Sequence, residues 1–287
     1  MTIAEWWAEG VVEPLTFNGT ERGIFCRRLG SGPSMTLLHG FPSSSYDWAA
    51  AAASLSSTHA LLMPDLLGFG ASDKPTGHTY SIHEQADLVD ALWARDGIRT
   101  TTLVTHDYAD TVAQELLARR GEGRLTVDIN ALCLLNGGIY PDLHRPEPIQ
   151  VALLDPTQGP QISAAITPEL TAQALQPTFA SGFDLASTAN DIWIASSRDH
   201  VNLHELISYI TDRQVHERRW VDALESTDVP LTFVWGMLDP ISGAHMIERV
   251  HERIPRATVV ELANVGHWPA IEAPESMVEA IALVSPF

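Results

Sequence analysis

Short apolar runs alternate with amphipathic segments along most of the chain. Val11 to Leu29 is predicted to form a β-hairpin with its turn at Asn18-Gly19. Four apolar runs predict buried strands near 35–39, 59–64, 101–106 and 129–135. Helical periodicity separates them near 46–57, 81–95 and 108–120. This alternation predicts right-handed βαβ crossovers and an α/β fold with a mostly parallel sheet.

The alternation stops after Asn136-Gly137-Gly138 and begins again with strand patterns at 231–236 and 257–262. The residues between these points form helical segments punctuated by proline, without a strand pattern. We therefore predict a core domain of residues 1–139 and 223–287 and a helical lid domain of residues 140–222. An insertion at this point would cover the ends of the strands.

Composition and charge narrow the class of protein. The 287 residues carry a formal net charge of −19, from 17 basic and 36 acidic residues. This length can bury a large core, and the acidity argues against nucleic acid and anionic membrane surfaces as partners. Cys26 and Cys133 lie in apolar stretches and fit reduced, buried thiols. No signal peptide or membrane-spanning run is evident, so we expect a cytoplasmic protein, and a homodimer stays open.

Asp107 stands where a predicted strand passes directly into a predicted helix. The apolar run Thr102–His106 ends at this residue, and Val112 and Leu116 share one helical face after it. A strand, a sharp turn and a helix form a nucleophile elbow, the position at which serine hydrolases carry Ser. The alternative is an ordinary helix N-cap, which stabilises a helix by about 1 kcal/mol. A carboxylate nucleophile suits attack on saturated carbon, and ester hydrolysis is disfavoured because it would give an anhydride.

Two residues further along the chain complete a predicted catalytic triad with Asp107. Asp239 follows the strand at 231–236, and His267 follows the strand at 257–262. The order nucleophile, acid, histidine is the one expected when each residue follows a strand of one parallel sheet. Asn136 follows another strand but cannot act as the acid, so Asp239 alone fills that role.

A loop after the first parallel strand is predicted to supply an oxyanion hole. Met35–Leu38 leads into His39-Gly40-Phe41-Pro42 at the same sheet edge. The backbone N–H groups of Phe41 and Tyr108 are the predicted donors, each worth about 3 kcal/mol to a developing oxyanion.

Several motifs carry a resemblance to a known family. They are His39-Gly40-Phe41-Pro42, the segment 64–75, His106-Asp107-Tyr108 and His267-Trp268-Pro269. They resemble the α/β-hydrolase fold in its epoxide hydrolase and haloalkane dehalogenase branch. The resemblance implies an eight-stranded, mostly parallel sheet flanked by helices, with a helical lid inserted after the sixth strand. It also implies an alkyl-enzyme ester on Asp107 that water activated by His267 releases.

The same resemblance bears on the leaving group. Epoxide hydrolases protonate the departing oxygen with lid tyrosines, and the candidates here are Tyr209 and Tyr140. The first tyrosine of the family's pair is expected near 150–158, where this chain has none. Dehalogenases bind halide through side-chain N–H donors, usually a Trp directly after the nucleophile and a second Trp or Asn. Here Tyr108 follows the nucleophile and Phe41 follows His39-Gly40, and neither side chain has an N–H group.

Further residues complete the set of candidates. His39, His106, Trp193 and Trp268 are candidates for substrate binding. His200 and His204 have the spacing of metal ligands on a helix, but no third ligand converges on them, so we predict no metal site and no cofactor.

The sequence therefore predicts an epoxide hydrolase that acts on a small apolar substrate and water. A haloalkane dehalogenase with the same triad is the alternative. A non-catalytic ligand-binding or scaffold member of the fold is the alternative from another class.

Overall fold

The structure is a computed structural model that describes residues 1–199 and 201–283. Eight strands are present in these residues: β1 (Val11–Phe17), β2 (Thr20–Leu29), β3 (Ser34–Leu38), β4 (Ala60–Pro64), β5 (Thr100–His106), β6 (Asp128–Leu135), β7 (Leu231–Gly236) and β8 (Thr258–Leu262). They form one sheet in the order β1-β2-β4-β3-β5-β6-β7-β8. β2 pairs antiparallel with β1 and β4, and the other neighbours pair in parallel. The predicted fold class is confirmed.

Helices flank this sheet and fill the interval between β6 and β7. The helices before β6 are α1 (Ile3–Ala8), α2 (Ala49–Leu55), α3 (Ile82–Arg95) and α4 (Tyr108–Gly121). Those between β6 and β7 are α5 (Pro148–Leu154), α6 (Gln158–Ala165), α7 (Pro168–Leu175), α8 (Ala186–Ser197), α9 (Leu203–Leu206), α10 (Tyr209–Val215) and α11 (Glu217–Ser226). The last are α12 (Ala244–Arg253), α13 (Pro269–Glu272) and α14 (Pro274–Ala282), and short 3₁₀ helices cover Ser45–Trp48 and Gln176–Thr178.

The hairpin predicted at the start of the chain is present. β1 and β2 pair from Val11 with Cys26 to Phe17 with Thr20. Asn18 and Gly19 have φ values of 49° and 71°. Positive φ at both central residues is what a two-residue type I′ turn requires, and Asn-Gly adopts it readily.

Both faces of the sheet are buried, which explains why its strands are continuous apolar runs. Along β6, Leu132 and Leu134 join the core on one face of the sheet, and Cys133 and Leu135 join the core on the other. Cys26 and Cys133 are free and buried, as expected for reduced thiols.

The helices between β6 and β7 are fastened to α4, the helix that follows Asp107. The buried Glu115 carboxylate accepts hydrogen bonds from Arg219 Nε at 2.7 Å and Trp220 Nε1 at 2.8 Å, both from α11. Gln114 Nε2 also donates to the backbone carbonyls of Ile139 and Trp220. These contacts hold the inserted segment against the residues that follow the elbow, although its treatment as a separate lid domain stays a prediction.

Within residues 1–199 and 201–283, no helix combines the length and the apolar character needed to cross a membrane. The cytoplasmic location stays a prediction.

Candidate active site

Asp107 occupies the sharp turn between β5 and α4 in a backbone conformation that few residues adopt. Its φ is 49° and its ψ is −103°. Positive φ at a residue other than glycine costs about 1–3 kcal/mol and is often found at functional sites. The Asp107 side chain makes no capping hydrogen bond to α4, so the N-cap alternative does not explain it. Instead, its Oδ2 accepts a hydrogen bond from Phe41 N–H at 3.1 Å.

Gly40 allows the loop after β3 to approach this turn. A Cβ atom at position 40 would lie 3.0 Å from Asp107 Cβ and 2.8 Å from His106 Nδ1. Such contacts are too short for a side chain, so close approach requires glycine here. Because Gly40 has no side chain, the N–H of Phe41, one of the predicted oxyanion donors, can reach the Asp107 carboxylate.

His267 and Asp239 lie beside Asp107 at the carboxyl ends of the parallel strands. His267 Nδ1 is 2.8 Å from Asp239 Oδ2, and His267 Nε2 is 4.0 Å from Asp107 Oδ2. All three side chains are buried. The structure therefore brings the predicted triad together, with the imidazole between the two carboxylates.

Asn136 holds the Asp239 carboxylate in place, a contact that sequence reasoning missed. Its Nδ2 donates to Asp239 Oδ2 at 3.0 Å, and its Oδ1 accepts from Gly236 N–H at 2.7 Å. Ile241 N–H donates to Asp239 Oδ1 at 2.8 Å. Burial would raise the pKa of Asp239, but the charge of His267 and these hydrogen bonds lower it.

His267 is held in its charged form by these neighbours. Burial alone would lower the pKa of His267, but the carboxylates of Asp239 and Asp107 outweigh burial and raise it to about 9. The protonated imidazole is thus favoured as long as both carboxylates are ionised.

This raised pKa has a measurable effect on stability. Relative to its ordinary pKa of 6.5, the His267 cation stabilises the fold fully below pH 6.5, and this stabilisation is lost as the pH rises through about 9. Urea denaturation of the native protein and of His267→Gln from pH 6 to pH 10 gives the difference in unfolding free energy. We expect the native protein to lose about 3 kcal/mol of unfolding free energy relative to His267→Gln as the pH rises from 6 to 10. A difference that is constant with pH would contradict the raised pKa.

Two neighbours fix the backbone of His267. His106 Nε2 lies 2.7 Å from the His267 carbonyl, and burial lowers the pKa of His106 to about 4, so this neutral ring donates to the carbonyl. His267 N–H donates to the Thr178 carbonyl at 2.7 Å, and Trp268 Nε1 donates to Thr178 Oγ1 at 2.9 Å. The inserted segment thus positions the histidine loop directly.

A cavity of about 70 Å³ lies above the triad, with Asp107 and His267 among its lining residues. Phe41, Gln150, Thr178 and Trp268 also line it. Much of the remaining wall is aliphatic: Ile149, Leu153, Ile162, Ile166, Leu175 and Leu203. This mostly aliphatic wall with a few polar groups suits a small apolar substrate.

The two candidate lid tyrosines have different surroundings. Tyr209 is buried against Phe41 and Tyr108, and its hydroxyl lies 3.5 Å from Nε2 of the cavity-lining Gln150. Burial raises the pKa of Tyr209, and the Asp107 charge raises it further. Tyr140 instead has the guanidinium of Arg249 over its ring. Burial raises the pKa of Tyr140, and the charge of Glu225 raises it further. Tyr209 thus packs against Tyr108, which follows Asp107 in the chain, and against Phe41, whereas Tyr140 lies under Arg249.

The other predicted binding residues have separate roles. His39 is not among the residues that line the described cavity, and its Nε2 accepts Leu66 N–H at 3.0 Å. Trp193 Nε1 donates to the Ile166 carbonyl at 3.4 Å and so is engaged within the inserted segment. His204 Nδ1 lies 3.0 Å from Ser163 Oγ, and His200, which shares its spacing of metal ligands, lies outside the described residues.

One buried cation near the triad was missed by sequence reasoning. Arg213 Nη2, from α10, lies 3.6 Å from Asp107 Oδ1 and donates to the Asp107 carbonyl at 3.0 Å. No local pattern signals it, because α10 reaches the elbow from 106 residues away in the chain.

Comparison with known proteins agrees with this architecture. A family model described as the alpha/beta hydrolase fold matches residues 33–274. The chain is 39% identical to the mesoderm-specific transcript protein of Mus musculus over 269 residues, which cover 88% of this chain and 78% of that protein. It is 37% identical over 254 residues to LipZ of Mycobacterium tuberculosis, with 88% of each chain covered. The haloalkane dehalogenase DbeA from Bradyrhizobium elkani has a TM-score of 0.76 at 19% identity, with 94% and 95% of the two chains covered, which is a likeness of fold alone.

Proposed function

Because the chain belongs to the alpha/beta hydrolase fold family, we propose that it is a hydrolase that opens an epoxide to a vicinal diol through an ester on Asp107. One observation carries this proposal. The carboxylate of Asp107 lines the cavity at a strained turn, next to the Phe41 N–H and the His267–Asp239 pair. A carboxylate in the nucleophile position needs no base for attack on saturated carbon.

In the first step, a carboxylate oxygen of Asp107 attacks one epoxide carbon. The carbon–oxygen bond of the ring breaks, and its electron pair goes to the ring oxygen. Tyr209 donates its hydroxyl proton to that oxygen. The position of Tyr209 supports this role, because its hydroxyl lies beside the cavity-lining Gln150 and is the acceptor in that contact, so its own proton is available.

In the second step, water releases the product. His267 Nε2 takes a proton from water, and the hydroxide adds to the carbonyl carbon of the ester. The N–H groups of Phe41 and Tyr108 hold the oxyanion until the ester bond breaks. The departing oxygen takes the proton from His267, and the proton left on Asp107 returns to the Tyr209 phenolate. Neither step requires a cofactor.

The ester itself prepares His267 for the second step. In the free enzyme, the charges of Asp239 and Asp107 both raise the pKa of His267. Esterification neutralises Asp107 and removes one of these charges. The pKa of His267 therefore falls, its imidazolium proton passes to solvent, and the neutral imidazole is available at the stage that needs a base. The ring takes a proton from solvent again when the Asp107 carboxylate is freed.

The hydrogen bonds of two tryptophans support an epoxide over a haloalkane as the substrate. Trp268 Nε1 donates to Thr178, and Trp193 Nε1 donates to the Ile166 carbonyl. Phe41 and Tyr108 contribute no side-chain N–H group to the site. A haloalkane dehalogenase with the same triad would therefore lack its usual halide donors, and dehalogenation remains the second candidate only through the shared nucleophile.

The decisive experiment traps the ester. We expect purified His267→Gln, incubated with short terminal epoxides and aryl epoxides, to gain the mass of one epoxide, because this variant lacks the base for release. Intact-protein mass spectrometry measures the adduct. The double variant His267→Gln with Asp107→Asn should gain no mass.

Bromoalkanes form the second arm of the same experiment. An alkyl adduct with release of bromide would make the protein a dehalogenase. Thermal stabilisation by these compounds without any adduct would instead favour the ligand-binding alternative.

A further inference from the structure

The carboxylate of Asp107 contacts a buried cation that the predicted triad does not include. Arg213 Nη2 lies 3.6 Å from Asp107 Oδ1, and the two side chains are 2% and 5% exposed. Arg213 Nε donates to Thr111 Oγ1 at 2.7 Å, and Nη2 donates to the Asp107 carbonyl at 3.0 Å. Three contacts thus fix the guanidinium to the elbow and to the first turns of α4.

The surroundings of Arg213 are shaped to admit it. A Cβ atom on Gly138 would lie 2.5 Å from Arg213 Nη1, so any larger residue at position 138 would displace the guanidinium. Nη1 is buried and has no hydrogen-bond partner in the described chain. A buried, incompletely paired arginine costs several kcal/mol of desolvation, so its net contribution to stability is small or unfavourable.

The two oxygens of Asp107 therefore have different neighbours. Oδ2 accepts the Phe41 N–H at 3.1 Å and lies 4.0 Å from His267 Nε2. Oδ1 faces Arg213. We propose that Arg213 is a catalytic residue of the release step, in which it stabilises the negative charge that develops on Oδ1. This inference rests on the proposed ester mechanism.

The chemistry of release assigns each oxygen a role. Oδ1 attacks the epoxide carbon and becomes the alkylated oxygen, while Oδ2 becomes the carbonyl oxygen of the ester. Hydroxide, formed as His267 takes a proton from water, adds to Cγ, and the negative charge moves to Oδ2 beside the Phe41 N–H. The Cγ–Oδ1 bond then breaks, and its electron pair goes to Oδ1. Oδ1 leaves as a hydroxyl group of the diol after it takes the proton from His267.

The effect of Arg213 has opposite signs in the two steps. A cation next to Oδ1 lowers the reactivity of this oxygen when it attacks the epoxide. The same cation stabilises Oδ1 when the oxygen leaves with negative charge. Arg213 also lies over the ring of Tyr209 and lowers the pKa of that proton donor, so removal of the charge has opposing effects on alkylation. It should therefore slow release far more than alkylation.

Steady-state kinetics of Arg213→Gln separate these effects. With the epoxide that gives the His267→Gln adduct, we expect kcat to fall about 100-fold, as it does when one charge-stabilising donor is removed. We expect kcat/KM to stay within about threefold of the native value, because it reports alkylation. KM should fall with kcat, and intact-mass measurement during turnover should find the epoxide adduct on most of the protein.

Two further variants serve as controls. Arg218→Gln removes a neighbouring arginine whose side chain is 95% exposed, and it should have native kinetics. Arg213→Lys keeps the charge and should recover part of kcat. If Arg213→Gln does not fold, Thr111→Val tests the same proposal, because it removes the Nε contact and should cause a smaller accumulation of the adduct.

Each failure has its own signature. An adduct in His267→Gln, together with equal losses of kcat and kcat/KM and no adduct in Arg213→Gln, would assign Arg213 a structural role only and overturn the inference. A folded Arg213→Gln with native kcat would overturn it as well. The absence of any adduct in His267→Gln would instead contradict the ester mechanism itself.

Discussion

Replacing Asp107 with asparagine is expected to abolish turnover, with kcat falling about 10⁶-fold, the loss typical of a deleted nucleophile. The amide keeps the size of the side chain but lacks the negative charge that attacks carbon. The fold should survive, because asparagine tolerates positive φ: Asn18 and Asn136 have φ values of 49° and 46° in the same chain. Initial rates with the epoxide that gives the His267→Gln adduct measure the loss of kcat. A circular dichroism spectrum checks that the fold is retained.

A second carboxylate three residues away provides the matched control. Asp110 is buried, and Thr105 Oγ1 donates to its Oδ1 at 2.5 Å. Burial raises the pKa of Asp110 well above its ordinary value, and an amide of the same size keeps an oxygen that accepts from Thr105. Asp110→Asn should therefore keep kcat within about threefold of the native value, as expected for a residue outside the reacting group. Turnover in Asp107→Asn within tenfold of native would exclude Asp107 as the nucleophile.

Replacing Asp239 with asparagine is expected to lower kcat about 10⁴-fold, the effect of losing the acid of a catalytic triad. Asp239 accepts the Nδ1 proton of His267 and thereby leaves Nε2 as the basic nitrogen toward the substrate. An amide at position 239 can donate to Nδ1, which favours the wrong tautomer. It also removes the charge that contributes most to the raised pKa of His267.

The two variants should differ in the step that they block. Asp239→Asn retains the nucleophile, so it should accumulate the epoxide adduct, whereas Asp107→Asn should form none. Intact-protein mass spectrometry after mixing with epoxide makes this comparison directly. If Asp239→Asn turns over at the native rate, or loses turnover without an adduct, Asp239 does not orient His267 for release.

The arrangement around His267 also explains why this histidine needs two carboxylates with different roles. Asp239 is fixed by Asn136, Ile241 and the imidazole, and it keeps its charge throughout the reaction. Asp107 loses its charge when it is esterified. Asp239 therefore orients the imidazole throughout the reaction. Loss of the Asp107 charge lowers the pKa of His267 at the stage in which the ring must act as a base.

The sequence by itself determined the elements of the fold and the three residues of the proposed triad. Burial of both sheet faces makes the parallel strands continuous apolar runs, so β5, β6 and β7 can be recognised locally. Asp107, Asp239 and His267 each follow such a strand directly. Parallel strands bring their carboxyl ends to one edge, and that rule alone predicts that these residues meet.

Only the tertiary structure decided what surrounds the triad. Arg213 reaches Asp107, Gln150 reaches Tyr209, and Thr178 binds the His267 loop, all from helices inserted between β6 and β7. These contacts depend on the docking and rotation of whole helices, which periodicity does not specify. Tyr140 and Tyr209 are equally tyrosines in sequence, yet packing places Tyr140 against Arg249 and Tyr209 against Tyr108, because the neighbours of a side chain depend on how its segment docks on the core.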